Sequence, residues 1–582
     1  MPTTSSASRC ASRSAFTIPR LLGTHHRRAL LIAACALHAS ALTAQGSPGQ
    51  DAAAHYARRV RAVDLFANRS YVAAAATADS VLRADSTNGA MALLRAQALD
   101  RLGDRAGAAA GYVAALRQGF GDRPYQAYRA ARLFAQQGDT LRAFAWLDSA
   151  FRARADGRRQ VEGDTAWQRY RQVPHFRQIV ATPPARWPGR EAGWRHDLAF
   201  LVAEIKRLDA NPARPAFTPA FDAQVARIAG HIRAWTDERI ALECQRLVAL
   251  LHSGHRHAFP ATPFRALPLD LYWFTDGVFV VGAGVPALGG ARVISLGGVP
   301  MDTIVARIRP LLSLDNPMMF RWTAPEYAMW TAYLRYAGAA TPGDTVAVEL
   351  ERDGSRWVVR VAAVASWPTH KLQSPDSSRA PLYLRNVSAN YWYQALPEAD
   401  ALYVQMNQVW PRRDLSVAAL ADSIRALARR AGARNLVVDV RHNNGGNAFV
   451  VRPLLRAMVA FEAEAPDHRL FVITSRNTFS AAQHFITWAE QGTRAIFVGE
   501  PSSSRPNYSG EDGDRVLLPF SGMSANISFR WHQNAPYQDG RDWIPVDVPA
   551  PLSAADFFAL RDPAIEAIVA LTAGGRVPPW PR

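Results

Sequence analysis

Between residues 380 and 572 short apolar runs alternate with longer amphipathic ones, and this alternation restricts the fold more than any other feature of the sequence. LYVQMN, NLVVDV, RLFVITS and AIFVGE are nearly continuous in apolar residues, as strands buried on both faces require. SVAALADSIRALARRAG, the segment after GGN, and SAAQHFITWAEQ carry helical periodicity between them. Strands and helices in turn predict an α/β core. A chain of 582 residues is too long for a single core, and 49% hydrophobic residues argue against disorder. The expected class is multidomain α/β.

Upstream the pattern changes. Residues 55 to 160 are alanine-rich, and a turn signature recurs at Asn68, Gly103-Asp104 and Gly138-Asp139, 35 residues apart each time. The period predicts helical hairpins. FANRSYVAAAATADSVLRAD, RLGDRAGAAAGYVAALRQGF and QQGDTLRAFAWLDSAF resemble tetratricopeptide repeats, which would fill residues 50–182 and offer a surface to a protein partner. An alanine-rich bundle with accidental spacing is the plainer alternative. ATPPARWPGR (181–190) reads as a linker. Residues 190–262 form a helical subdomain ending in LLHSGHRHAF. The strand signals GVFVVGAG, ARVISLGGVP and DTVAVELERDGSRWVVRV then occupy 268–366 and resemble a PDZ-like domain, a module that captures extended peptides at a strand edge.

The first 44 residues hold five arginines and no acid, and ALLIAACALHASALTA (29–44) contains Ala39-Ser40-Ala41, a small-x-small cleavage pattern. Residues 1–44 are therefore read as a signal peptide and the chain as periplasmic or secreted. Ile32-Ala33-Ala34-Cys35 offers a lipoprotein alternative. No later run is long and apolar enough for a membrane span. The formal charge of +18 falls to +13 without that segment, and its arginines are spread among acids, so no nucleic-acid partner is expected. Cys244 is then the only cysteine, which rules out an internal disulfide, and its apolar helical setting argues against a thiol nucleophile.

Two loops carry the chemistry. NLVVDVRHNNGGNAFVV follows a strand with a turn whose Gly445-Gly446 pair exposes backbone N–H groups. RLFVITSRNTFSAAQHF places Ser480 at a strand-to-helix junction, where the Ala481 N–H and the positive helix end favour a developing oxyanion. From these residues alone Ser480 reads as readily as a helix cap. The ordered set DVRHNNGG, TSRNTFSAAQHF, RAIFVGEP and WIPVD, over roughly residues 193 to 572, resembles the carboxy-terminal processing (tail-specific) serine peptidases, whose relatives include the tricorn core and interphotoreceptor retinoid-binding protein. The resemblance implies a crotonase/Clp protease-like α/β catalytic core over 380–572. It also implies Ser480 as nucleophile and an oxyanion hole from Ala481, Gly445 and Gly446. Many members place a lysine 25 residues after the serine. Here that position is Arg505, which cannot serve as a base, and the chain's two lysines, Lys206 and Lys371, lie in no family motif. The histidine-assisted, tricorn-like branch instead implies His255 of LLHSGHRHAF as base, with His252 and His257 as lesser candidates. YQDGRDWIPVD offers Asp539 or Asp542 to orient the imidazole, and Asp539 is the choice.

No metal or organic cofactor is expected. His252, His255 and His257 do not share one helical face, there is no HExxH pair, and Gly282-Ala283-Gly284 is followed by a broken helix rather than a dinucleotide-binding one. The leading expectation is a serine peptidase acting on envelope or extracellular polypeptides. A binding protein that kept the fold without turnover, and an envelope scaffold built on the repeats, are the alternatives.

Overall fold

The structure, a computed structural model, describes residues 48–574 except 119, 121–122, 154–160, 162, 181–186, 209–217, 285, 340–341, 366–371, 375, 413, 511–513 and 529. Residues 1–44, read above as a signal peptide, with Cys35 among them, and Lys371 lie outside the described residues. The chain divides into two compact units, Met1–Val60 and Arg61–Arg582, and the second holds the helical array and all the sheets.

Helix α1 (Pro48–Ala67) crosses that boundary, and α2 (Tyr71–Ala84), α3 (Gly89–Leu102), α4 (Arg105–Arg117), α5 (Arg123–Gln137) and α6 (Thr140–Ala153) follow, each packed on the next. The recurring turn has a local cause. Gly103 and Gly138 end their helices at φ +82° and +85°, left-handed values that cost glycine little. The aspartate after each caps the next helix: Asp104 accepts the Gly107 N–H at 2.9 Å and Asp139 that of Arg142 at 3.0 Å. Alanines at the helix contacts, among them Ala74, Ala96, Ala108 and Ala130, are fully buried. A Cβ on Gly111 would come within 2.8 Å of the Ala96 Cβ, so α3 and α4 approach at glycine distance. A short helix, α7 (Pro174–Val180), closes the array with Phe176 stacked on Trp167.

Helices α8 (Arg190–Leu208), α9 (Pro219–His231) and α10 (Asp237–Ala249) lead to β1 (His257–Phe259). An antiparallel sheet follows: β2 (Leu269–Phe274), β3 (Gly277–Ala283), β4 (Arg292–Leu296), β5 (Val299–Pro300), β6 (Thr345–Arg352) and β7 (Ser355–Ala362). Its order is β2-β3-β4-β6-β7 with β5 on β4, which leaves β2 as an edge. Helices α11 (Met301–Ile308), α12 (Pro317–Tyr327) and α13 (Thr331–Tyr336) interrupt it, and Ile304, Ile308, Ala324 and Leu334 share its apolar core.

The remaining elements are β8 (Tyr391–Leu396), β9 (Ala401–Met406), α14 (Val417–Arg430), β10 (Asn435–Asp439), α15 (Arg452–Glu464), β11 (Arg469–Thr474), α16 (Ala481–Gly492), β12 (Ile496–Gly499), β13 (Asn507–Gly510), β14 (Asp514–Leu517), β15 (Ser524–Ile527), β16 (Arg530–Gln533), β17 (Val548–Pro549), α17 (Ala554–Phe558) and α18 (Pro563–Gly574). A six-stranded sheet runs β17-β12-β11-β10-β9-β8, parallel from β17 to β9 and antiparallel at β8. Alternate residues serve opposite faces. Leu402, Val404, Leu436, Val438 and Val472 pack under α14, α15 and α16, while Tyr403, Val437, Phe471 and Val498 pack on the side of α18. The apolar runs are thus buried on both sides, and helix and sheet are mixed as the alternation predicts.

One connection departs from the linear reading. Strand β15 lies outside the six-stranded sheet, between β1 and β14 in a three-stranded one, and Val516, Leu518, Met523, Ala525 and Ile527 join Trp194, Leu201, Ile240 and Leu247 in one core. Residues 190–262 therefore share their apolar centre with part of 380–572, because neither segment carries both halves of the buried surface.

Candidate active site

Strand β11 ends at Thr474, and five residues later the chain turns sharply into α16. Ser480, at the turn, has φ +57° and ψ −119° and makes no side-chain cap bond to the helix. That conformation costs a non-glycine residue on the order of 1–3 kcal/mol and persists only when its surroundings hold it. They do so here. Phe479 N–H donates to the Asn443 carbonyl at 3.0 Å, Ser503 N–H to that of Thr478 at 3.1 Å, and Ser480 N–H to Ser504 Oγ at 3.4 Å. The hydroxyl, freed from capping, lies 2.9 Å from Nε2 of His255.

His255 arrives from the turn after α10, 225 residues away in sequence. Its ring lies between Phe479 and Tyr508, with centroids 4.3 Å and 5.1 Å away and nearly parallel planes. Asn526 Nδ2 and Ser528 Oγ donate to its carbonyl, and Ser253 Oγ donates to the Ser509 carbonyl at 2.8 Å, so the β13 and β15 region grips the turn. Burial holds the imidazole pKa well below 6.5, with His257, His532, His484 and Arg256 adding to the effect. The ring is neutral at physiological pH, as a proton acceptor must be. Its Nδ1 is buried and has no hydrogen-bond partner among the described residues.

The glycine turn sits against the serine. A Cβ on Gly445 (φ +116°) would lie 2.7 Å from the Ser480 Cβ and 3.1 Å from its Oγ, and one on Gly446 (φ +135°) 2.4 Å from the Val409 carbonyl oxygen. Only glycine fits either place. The Gly445 N–H already donates to Asn443 Oδ1 at 2.9 Å. No acceptor among the described residues takes the N–H of Gly446 or Ala481, so both donors face the serine side of the turn without a partner there. Below the turn, buried Asp439 accepts from Tyr403 at 2.7 Å and from Arg441 at 2.9 Å, and Arg441 reaches Asp562 at 2.9 Å.

The acids expected to orient the imidazole are engaged elsewhere. Asp539 pairs with Arg541 at 2.7 Å, and that hydrogen bond holds its carboxyl below the usual range; Arg541 also pairs with Glu490 at 2.7 Å. Asp542 pairs with Arg505. Neither bonds His255, because an arginine two residues from Asp539 and another across the loop from Asp542 compete for them locally. Arg505 also donates to the Asp315 carbonyl at 2.8 Å. His252 and Lys206 are exposed, and burial lowers the pKa of His257 to about 4. Cys244 is buried, and its thiol is pushed up to about 12, an inert packing residue.

The sequence reading missed several groups around the pair. His484, one turn into α16, lies 5.4 Å from the Tyr508 ring and 4.8 Å from His532. Ser504 stands beside Arg505, in a motif that drew attention only to the arginine. Asp315 comes from the loop before α12, where no motif marks it. A cavity of about 380 Å³ lies away from Ser480, beside edge strand β2, lined by Leu271, Tyr272, Ala283, Glu326, Met329 and Trp330 among others. Among the described residues no group of three or more His, Cys, Asp or Glu side chains is placed to hold a metal ion, and no helix is long and apolar enough to cross a membrane.

No family model and no curated protein matches the chain. Among solved structures, mature CPAF is similar over 65% of this chain and 97% of that one, at 10% identity and a TM-score of 0.46. The photosystem II D1 C-terminal processing protease is similar over 65% and 97%, at 13% identity and a TM-score of 0.33. A putative S41 protease from Bacteroides fragilis is similar over 64% and 94%, at 12% identity and a TM-score of 0.28. At such identities the side chains around Ser480 decide how the site is read.

Proposed function

We propose that the chain is a serine peptidase in which Ser480 is the nucleophile and His255 its base. The observation that carries this reading is the 2.9 Å contact between Ser480 Oγ and His255 Nε2, made by a serine held in a strained turn and not used as a cap. In the reaction Nε2 takes the hydroxyl proton while Oγ attacks the peptide carbonyl. The Ala481 and Gly446 N–H groups receive the oxyanion, and the imidazolium returns the proton to the leaving amine. Water then releases the acyl group by the same route. Gly445 serves by leaving room beside Oγ, since its own N–H is taken.

Finer parts of the reading follow from the sequence. The substrate is an envelope or extracellular polypeptide reached after export, the sheet of residues 268–366 is a PDZ-like module, and the array of 50–182 is tetratricopeptide-like and receives a protein partner. The edge position of β2 and the cavity beside it support capture of an extended peptide there.

One observation favours the alternative of a binder without turnover. To accept the serine proton at Nε2, the neutral ring must carry its hydrogen on Nδ1, and that atom is buried with no acceptor among the described residues. In serine proteases, loss of the group that fixes this tautomer lowers turnover about 10⁴-fold. Labelling with a fluorophosphonate separates the readings. A peptidase labels at a rate that vanishes in Ser480→Ala and falls at least about 100-fold in His255→Ala; a parent chain that does not label is the binder.

A further inference from the structure

The Ser480–His255 contact joins two turns from distant parts of the chain, and a third segment holds both. Asp315 is 3% exposed. Its Oδ1 accepts the N–H of Gly254, the residue before His255, at 2.8 Å. Its Oδ2 accepts the Ser504 hydroxyl at 3.2 Å, and Ser504 Oγ in turn accepts the Ser480 N–H. One carboxylate therefore reaches the backbone of the residue before the base directly and that of the nucleophile through one hydroxyl. Its neighbours strengthen the clasp. Asn316 Nδ2 donates to the Ser502 carbonyl at 3.0 Å and to that of Asp542 at 2.7 Å. Gly254 is pressed so closely on Met319 that a Cβ there would lie 2.3 Å from its methyl carbon.

We propose that Asp315 is a positioning residue for the Ser480–His255 pair, fixing through Gly254 and Ser504 the separation at which the proton is transferred. The inference rests on the peptidase reading above. An ionised carboxylate suits the place, because the Gly254 N–H and the Ser504 hydroxyl both donate to it and a carboxylate offers acceptors on both oxygens. An amide would turn its NH₂ toward one of them. The charged groups facing Asp315 are Arg256, from the His255 turn, and Arg505, itself paired with Asp542. Both favour the anion, yet burial outweighs them and raises the pKa to about 6. The clasp consequently loosens as pH falls through about 6, a range in which His255, held well below 6.5, is still largely unprotonated.

The experiment is the rate of fluorophosphonate labelling of the full chain between pH 5 and 9, for the parent, Asp315→Asn and Ser504→Ala. A small misplacement of reacting groups costs on the order of 10²-fold, so Asp315→Asn is expected to label about 10- to 100-fold more slowly at pH 8 and to lose the parent's fall in rate near pH 6. Ser504→Ala, which cuts only the tie to Ser480, is expected to slow labelling while keeping that fall. If Asp315→Asn does not fold, Ser504→Ala decides alone, and a parent rate in that variant overturns the proposal. A folded Asp315→Asn chain that labels at the parent rate, or that keeps the fall near pH 6, overturns it equally. A parent chain with no Ser480-dependent labelling overturns the peptidase reading and this assignment with it, whereas failure of the variants alone removes only Asp315.

Discussion

At Ser480 strain and chemistry have the same source, since a backbone at φ +57° and ψ −119° turns Oγ away from the helix and toward His255. Among the described residues, the imidazole around which this is built and three other histidines have their pKa lowered by burial. Burial lowers His255 well below 6.5, His257 and His532 to about 4 and His484 to about 3. Unfolded, all four would take a proton near pH 6.5. Between that pH and about 4 the unfolded chain therefore binds more protons, and stability falls as pH falls, by about 1.4 kcal/mol per pH unit for each proton of difference. Asp315 runs the other way: with its pKa raised to about 6 the folded chain holds that proton more tightly, offsetting one of the four. The free energy of unfolding in urea is expected to drop steeply from pH 6.5 to 4. Histidine to glutamine changes at 484 and 532 should flatten the slope, and an unchanged slope in the double variant would contradict the neutral assignments.

Among elements, the turn between β10 and α15 is the one whose shape the chemistry depends on. Gly445 faces Ser480 and Gly446 faces Val409, each at a φ that L side chains avoid. Gly445→Ala should abolish labelling, because its methyl occupies the space of the Ser480 side chain. Gly446→Ala should lower labelling at least about 100-fold by displacing one oxyanion donor, and should also destabilise the fold, since its methyl meets a backbone oxygen of the strand end that the turn rests on. Equal labelling by Gly446→Ala and parent would remove Gly446 from the oxyanion site. These elements were legible because apolar runs such as RLFVITS can be buried only as central strands, and because paired glycines after a strand mark a close approach. The junction at Ser480 was legible for the same reason. Its pairing with His255 was not, as no spacing of residues links positions so far apart; only the likeness of LLHSGHRHAF to a family motif suggested it. Asp539 misled because sequence shows an acid near the end of the chain but not that Arg541 takes it. Asp315 was invisible, since a buried acid in a loop becomes meaningful only when Gly254 and Ser504 are folded onto it.

For the whole molecule, the open matter is how firmly the helical array sits on the catalytic layers. Among the described residues, the contacts that dock it include ones that are weak taken singly. Asp64 meets Arg456 of α15 at 3.8 Å, Ala67 touches the core under α15 and α16, and Phe120 lies 5.1 Å from the guanidinium of Arg530 on β16. The ion pair has its arginine 61% exposed, a class of contact worth about 0–1 kcal/mol, and the cation–π contact adds about 0.5–1 kcal/mol at an exposed site. By contrast the array has a substantial core of its own, in which the rings of Trp167, Phe144, Phe176 and Tyr170 pack together. A body with a strong interior and a weak seam opens at the seam. Hydrogen exchange on the full chain should therefore show β9 to β12 protected longest, with amides at the seam, near residues 64–70 and 530–533, exchanging through a low-energy opening. Replacing Arg456 and Arg530 together by alanine should speed exchange there several-fold while the interior of α3 to α6 keeps its protection and Ser480 labels at the parent rate. Loss of protection throughout α3 to α6 in that variant would mean that the array depends on the catalytic layers for its fold, and a fall in labelling would mean that it forms a wall of the active site.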